Sequence, residues 1–137
     1  MLISTKGRYA LCVLTDMAEN NGNEKLISLK EISERQDISR KYLESIMTIL
    51  TKNNMVESHH GKTGGYRLLR RPEEYSLYEV LLITEDSLAP VPCLEKGAEE
   101  CAKACSCCTL DTWKQLNDMI TSFFGNKTIK DLMKTNG

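Results

Sequence analysis

The stretch Ser28-Leu29-Lys30-Glu31-Ile32-Ser33-Glu34-Arg35-Gln36-Asp37-Ile38-Ser39-Arg40-Lys41-Tyr42-Leu43-Glu44 contains two helix starts separated by a short break. Ser28 can cap a backbone N–H three residues on, while Glu31 reaches back to the N-cap amide, the reciprocal capping box. A helix from about Leu29 to Gln36 follows. Asp37-Ile38 interrupts it, and Ser39 can cap a second helix through about Lys52, on which Leu43, Ile46, Met47 and Leu50 form one apolar stripe. Two helices joined by so short a turn are what a helix-turn-helix requires, with the N-terminal residues of the second helix offered to base edges in the major groove. An ordinary helical hairpin is the alternative on these residues alone.

Towards the N-terminus, Tyr9, Ala10, Val13, Leu14, Met17 and Ala18 recur at helical spacing, with Ser4 or Thr5 as N-cap and Asn21-Gly22 as the stop. Cys12 falls inside this apolar stretch and reads as a packed core residue. Leu26-Ile27 reads as a short extended piece. Towards the C-terminus, residues 55–60 alternate weakly, residues 61–65 form a glycine-rich loop, and Tyr66-Arg67-Leu68-Leu69 returns as a partner strand. A hairpin directly after the helices makes the unit a winged helix-turn-helix. Glycine at its tip lets backbone N–H groups approach phosphates, and Lys62, Arg67, Arg70 and Arg71 supply cations, although a solvated basic hairpin has the same composition.

Pro72 ends the wing, and residues 76–85 read as a short apolar helix. No period survives from Asp86 to Cys108, a segment long enough to suggest a functional loop. Leu110, Trp113, Leu116, Ile120, Phe123 and Phe124 then recur by threes and fours, a stripe suited to packing against a second copy of the chain or against its own winged helix. Thr128 to Met133 can add a final turn. The expected fold is therefore mainly α with a small β-hairpin wing, a winged helix-turn-helix followed by a long dimerisation helix. It divides into a DNA-binding domain over 1–85, a Cys-rich sensor loop over 86–108, and a dimerisation helix and tail over 109–137.

The 137 residues carry 18 Lys plus Arg and 19 Asp plus Glu, a net charge of -1 that superficially disfavours a nucleic-acid partner. Division at the wing changes this: residues 1–71 hold 12 basic and 8 acidic side chains, net +4, and residues 72–137 hold 6 and 11, net -5. No apolar run approaches the roughly 18 residues of a spanning helix and no signal-peptide pattern opens the chain, so a cytoplasmic protein without a membrane partner is expected. In a reducing compartment, cysteines are more often ligands or redox sensors than structural disulfides.

Several motifs in fixed order resemble the IscR/NsrR/CymR-type winged-helix regulators of bacteria, the Rrf-two family. They are Ser4-Thr5-Lys6-Gly7-Arg8-Tyr9-Ala10, Ile32-Ser33-Glu34-Arg35-Gln36-Asp37-Ile38-Ser39, Tyr42-Leu43-Glu44, Gly64-Gly65-Tyr66 and Trp113. The resemblance spans nearly the whole chain. It implies a homodimeric regulator of transcription on a palindromic double-stranded DNA operator, with Ser39, Arg40, Tyr42 and Glu44 facing the groove and Ser4, Thr5, Lys6 and Arg8 holding phosphates. Arg40 or Lys41 can read guanine and Glu44 can accept from a cytosine amino group, while hydroxyls such as that of Ser28 can bond phosphate. Where relatives carry a wing arginine for the minor groove this chain has His60, with Lys62 or Arg67 as substitutes.

The resemblance further implies three cysteine ligands to an iron–sulfur cluster ahead of the tryptophan. Cys107 stands six residues before Trp113, Cys101 six before Cys107, and Cys93 eight before Cys101. These three are the expected ligands, with Cys105 and Cys108 as alternatives or as the fourth. Relatives place a histidine three residues before the tryptophan where this chain has Leu110, so Cys105, Cys108, Asp111 or an acidic group of a partner chain must complete the set. Soft thiolates suit a cluster, 2Fe-2S in preference to 4Fe-4S. Zinc held by the same cysteines, a thiol switch between residues such as Cys105 and Cys108, and inert loop cysteines are competing readings. His59 and His60 are strand neighbours pointing to opposite faces and cannot readily share one ion. No Ser/His/Asp set, phosphate-binding loop or dinucleotide fingerprint is present, so no enzyme activity is expected. A protein-interaction adaptor and a metal-transfer protein are the alternatives of other classes.

Overall fold

The computed structural model describes residues 2–99 and 106–134. The elements run α1 (Thr5–Glu19), α2 (Leu29–Gln36), α3 (Arg40–Lys52), β1 (Val56–His59), β2 (Gly65–Leu68), α4 (Leu77–Thr84), α5 (Leu110–Gly125) and α6 (Ile129–Leu132). Single 3-10 turns lie at Pro72–Glu74 and Pro92–Leu94. The fold is mainly helical with one antiparallel hairpin, as the hydrophobic periods and turn residues indicated.

Each of the first four helices starts where a hydroxyl can satisfy an orphan N–H. Ser4 accepts from Gly7, Ser28 from Glu31 in a complete capping box, Ser39 from Tyr42 and Ser76 from Glu79. The break between α2 and α3 is built by Asp37 in the left-handed region at φ 53°, a conformation tolerated by aspartate at little cost. Ser33 Oγ donates to the Ile38 carbonyl across the turn, and Ile38 itself is buried.

The core joins Val13, Leu14 and Met17 of α1 to Ile32 of α2 and to Leu43, Ile46, Met47 and Leu50 of α3, closed by Val80 of α4 and Ile129 of α6. Tyr75 is fully buried. Its hydroxyl donates to the Met55 carbonyl and accepts from the Leu69 and Arg70 amides, so one side chain fixes both legs of the wing to the helical body. The hairpin pairs Val56 with Leu68 and His59 with Gly65. Ile27 exchanges two N–H···O bonds of 2.8 Å with Tyr66, so the expected extended piece is present as a bridge on the outer side of β2. A Cβ on Gly65 would lie 2.7 Å from the Ile27 carbonyl oxygen, so this glycine permits the close approach of that third segment.

Cys12 departs from the sequence expectation. It is exposed, because the buried positions Ala10, Val13, Leu14 and Met17 leave residue 12 on the opposite side of α1. It borders a cavity of about 320 Å³ shared with Asp16, Gln36 and Leu132. The apolar stripe of α5 also divides. Phe124 packs against the core of its own chain, whereas Leu116, Met119 and Phe123 remain exposed.

Candidate nucleic-acid interface and cysteine loop

The N-termini of α1 and α3 come together through Tyr9 and Tyr42, whose rings meet edge to face with centroids 5.7 Å apart. This contact joins two groups of candidate residues far apart in sequence. On α1, Thr5 and Arg8 are exposed and Ser4 and Lys6 half-buried, with Arg8 Nη2 donating to Thr5 Oγ1 at 3.1 Å. On α3, Ser39, Arg40, Lys41 and Glu44 are exposed and Tyr42 is half-buried. Because Leu43, Ile46, Met47 and Leu50 face the core, helical geometry turns Lys41, Ser45 and Thr48 outward together. Ser45 and Thr48 were missed by the sequence reading, although both lie opposite the apolar stripe that it identified.

The cations differ in what faces them. Among the described residues, Lys6, Arg40, Lys41 and Lys62 have no carboxylate partner, whereas Arg35, Arg67 and Arg70 each bind one and Arg71 binds two. Arg67 donates through Nε to Glu57 Oε1 at 3.0 Å, and His59 Nε2 lies 3.0 Å from the same oxygen. Hydrogen bonds from His59 and then Arg67 hold the Glu57 carboxyl below the ordinary value. His60 and Lys62 are exposed at the wing tip, where Gly61 adopts φ +112° and makes the turn. Lys62 is thus the wing lysine that forms no ion pair among the described residues.

Two expected phosphate ligands are already engaged. The Ser28 hydroxyl serves the capping box of α2. Ser4 accepts from the Gly7 amide, and both its backbone N–H and its hydroxyl donate to Glu85 Oε1, at 2.7 and 3.0 Å. Neither Glu85 nor the buried Asp16 stood out in the sequence. Asp16 is 4% exposed and accepts from Arg35 Nε and Nη2 and from Gln36 Nε2, fastening α2 to α1. The sequence carries no local signal for this clamp, since its partners lie some 20 residues apart.

In the loop, Cys93 lies on the 3-10 turn Pro92–Leu94 and is exposed, as are Cys107 and Cys108 just before α5. Cys101 and Cys105 lie outside the described residues, and no three metal-binding side chains converge among the described ones. Cys107 Sγ is 3.4 Å from Thr109 Oγ1, and this hydrogen bonding lowers the thiol's pKa. Exposed free thiols, one of them biased towards thiolate, are chemically suited to holding soft metal centres such as iron–sulfur clusters. His59 and His60 do not form a metal pair, since His59 is turned to Glu57.

A family model described as Rrf2, iron-dependent transcriptional regulator, matches residues 3–135. The chain is 37% identical over 134 residues to the HTH-type transcriptional regulator IscR of Xenorhabdus nematophila, covering 98% of this chain and 80% of that protein. It is 36% identical to IscR of Pectobacterium atrosepticum, over 97% of this chain and 79% of that one. Among solved structures it is similar to CymR, the global cysteine regulator of B. subtilis, with TM-score 0.77 and 31% identity over 96% of this chain and 95% of that one. It is also similar to T. potens IscR, with TM-score 0.72 and 27% identity over 96% and 85%. These relatives are transcriptional regulators rather than enzymes. No helix among the described residues is long and apolar enough to cross a membrane.

Proposed function

Because the chain belongs to the Rrf2 family of transcriptional regulators, we propose that it reads a palindromic operator as a homodimer and senses through a cysteine-bound iron–sulfur cluster. The observation that carries the DNA surface is the group of carboxylate-free cations, Lys6, Arg40 and Lys41, around the joined N-termini of α1 and α3. Phosphates are neutralised by such cations, while cations already paired to carboxylates contribute little net charge. Arg40 and Lys41 contact base edges from the start of α3, Glu44 accepts from a cytosine amino group, and Ser45 extends the same face. Thr5, Lys6 and Arg8 hold the backbone at α1, and Lys62 with His60 does so at the wing. Residues 1–85 thus act as the reading head, 86–108 as the sensor loop and 109–137 as the dimerisation segment.

Cys93, Cys101 and Cys107 hold the cluster, with Cys105 or Cys108 as the fourth thiolate. Hydrogen bonding to Thr109 lowers the Cys107 thiol pKa, in the direction that favours the ligating form. When bound, the cluster supplies a redox-responsive and nitric-oxide-responsive centre that ties the loop to the start of α5. The protein's own part is geometric. Residues 93 and 107 flank the loop, so fixing them together sets how α5 leaves the reading head and hence the separation of two recognition helices, which must match half-sites about 34 Å apart.

Anaerobic purification with metal analysis and visible spectroscopy tests the sensor. Iron and sulfide with a visible chromophore are expected, lost in Cys93→Ala and Cys107→Ala. A colourless, iron-free protein whose operator affinity ignores oxidants overturns the cluster reading, and stoichiometric zinc overturns it in favour of a zinc site.

A further inference from the structure

Glu85 occupies an unexpected position. As the C-cap of α4 it stands at the negative end of that helix dipole, an unfavourable place for a carboxylate. Its side chain instead reaches the N-terminus of α1, the positive end of another dipole, where Oε1 accepts from both the amide and the hydroxyl of Ser4. The close approach depends on Gly7, since a Cβ there would lie 2.5 Å from Glu85 Oε1. Glycine inside a helix is less favourable than alanine, so the local sequence sacrifices helix stability while leaving room for this carboxylate. The next residue, Asp86, begins the cysteine-rich loop.

We propose that Glu85 is a resident anion that weakens the α1 phosphate contact, setting operator affinity from the root of the sensor loop. The inference rests on the reading of Thr5, Lys6 and Arg8 as phosphate contacts. Helix N-termini attract anions through exposed N–H groups and the dipole. Here the Ser4 N–H is already satisfied, and the fixed negative charge opposes an arriving phosphate. Glu85 therefore holds the first turn of α1 in shape and at the same time reduces its pull on DNA. Any rearrangement of the loop that withdraws Glu85 frees the Ser4 donors and removes the opposing charge, which raises affinity without altering the base-reading residues.

The test uses full-length Glu85→Gln, Glu85→Ala and Lys6→Ala, with duplex DNA selected by the wild-type protein from a random library. Glutamine keeps an oxygen that can accept from Ser4 and removes the charge. Glu85→Gln is expected to bind about fivefold more tightly at low ionic strength, the size of one unit charge–charge interaction about 4 Å apart in water. The advantage should shrink as salt rises, because it is electrostatic. Thermal stability should stay near wild type in Glu85→Gln and fall in Glu85→Ala, which leaves Ser4 without its acceptor. Equal or weaker binding by Glu85→Gln, while Lys6→Ala loses affinity, overturns the resident-anion role and leaves Glu85 as a structural cap. Unchanged affinity in Lys6→Ala overturns the phosphate reading of α1 and this proposal with it.

Discussion

Arg40 and Arg67 are both basic residues on the reading head, and the difference between them lies in what each faces. Arg40 is exposed and forms no ion pair among the described residues, whereas Arg67 is bound to Glu57. Arg40→Ala should therefore weaken binding to a selected operator by about 10- to 100-fold, the range of one lost base contact, and relax specificity at one base pair of each half-site. Arg67→Ala should cost less, about fivefold at most, since Arg67 is held by Glu57 and makes no base contact, and the loss that remains comes from uncovering the Glu57 charge. Fluorescence anisotropy over a range of salt concentrations checks both, and a larger loss in Arg67→Ala than in Arg40→Ala would reverse the assignment. In the sequence both arginines read as DNA contacts, because charge type is visible in a chain and charge pairing is not. Cys12 is a different case: its apolar neighbours suggested burial, but the helical phase set by Ala10, Val13, Leu14 and Met17 turns it outward. By contrast, the caps Ser28 and Ser39 were legible, because a cap and its target lie three residues apart.

At the level of elements, the orientation of α3 depends on contacts that no local pattern reveals. The clamp of Asp16 by Arg35 and Gln36 fixes α2 to α1, and α2 in turn fixes α3 through the left-handed Asp37 turn. Arg35→Ala leaves the Asp16 carboxylate buried with Gln36 alone, and the expected loss is about 3 kcal/mol, at the lower end for broken buried pairs because Arg35 is a third exposed. Urea unfolding measures it, and a loss under about 0.5 kcal/mol would show that the clamp behaves as a surface pair. The start of α2 adds a pH dependence. Hydrogen bonding from the Ser28 backbone holds the Glu31 carboxyl below its ordinary value, with the Ser28 hydroxyl and Arg35 acting in the same direction. A carboxylate with a depressed folded-state pKa contributes stability above its unfolded value and loses it as pH falls through the folded value. The melting-temperature difference between wild type and Glu31→Gln should thus be present at neutral pH and vanish under acid. A difference that persists unchanged into acid would mean that Glu31 acts through something other than its charge. The helices themselves were readable from periodicity, and the hairpin from its glycines. What could not be read was which backbone Gly65 approaches, since Ile27 lies almost forty residues earlier.

Across the whole molecule, the near-zero net charge conceals two halves of opposite sign, +4 over residues 1–71 and -5 over residues 72–137. A polyanionic partner should therefore meet the first half and avoid the second, which leaves α5 free for another role. The helix has 16 residues, about 24 Å at 1.5 Å per residue, and none of them is buried within the chain. Met119 is 69% and Phe123 57% exposed, and with Leu116 they follow the three-and-four spacing of a helix-pairing seam. Sequence predicted such a stripe but merged two faces, because Phe124 beside Phe123 packs inward and Met119 was passed over. An apolar face of this kind on a lone chain is a liability in water, and in the proposed homodimer a second copy of α5 would bury it symmetrically. Phe123→Asp places a charge in that seam without touching the reading head. Analytical ultracentrifugation should then show a monomer where the wild type is a dimer, and the wild type alone should melt at a temperature that rises with protein concentration. Linking two reading heads makes the second half-site contact intramolecular, so the variant should lose about 100-fold in affinity for a two-half-site operator. Binding to an isolated half-site should barely change, since α1, α3 and the wing are intact. A variant that still sediments as a dimer would assign the pairing to another surface, and one that lost half-site binding equally would show that α5 supports the reading head of its own chain.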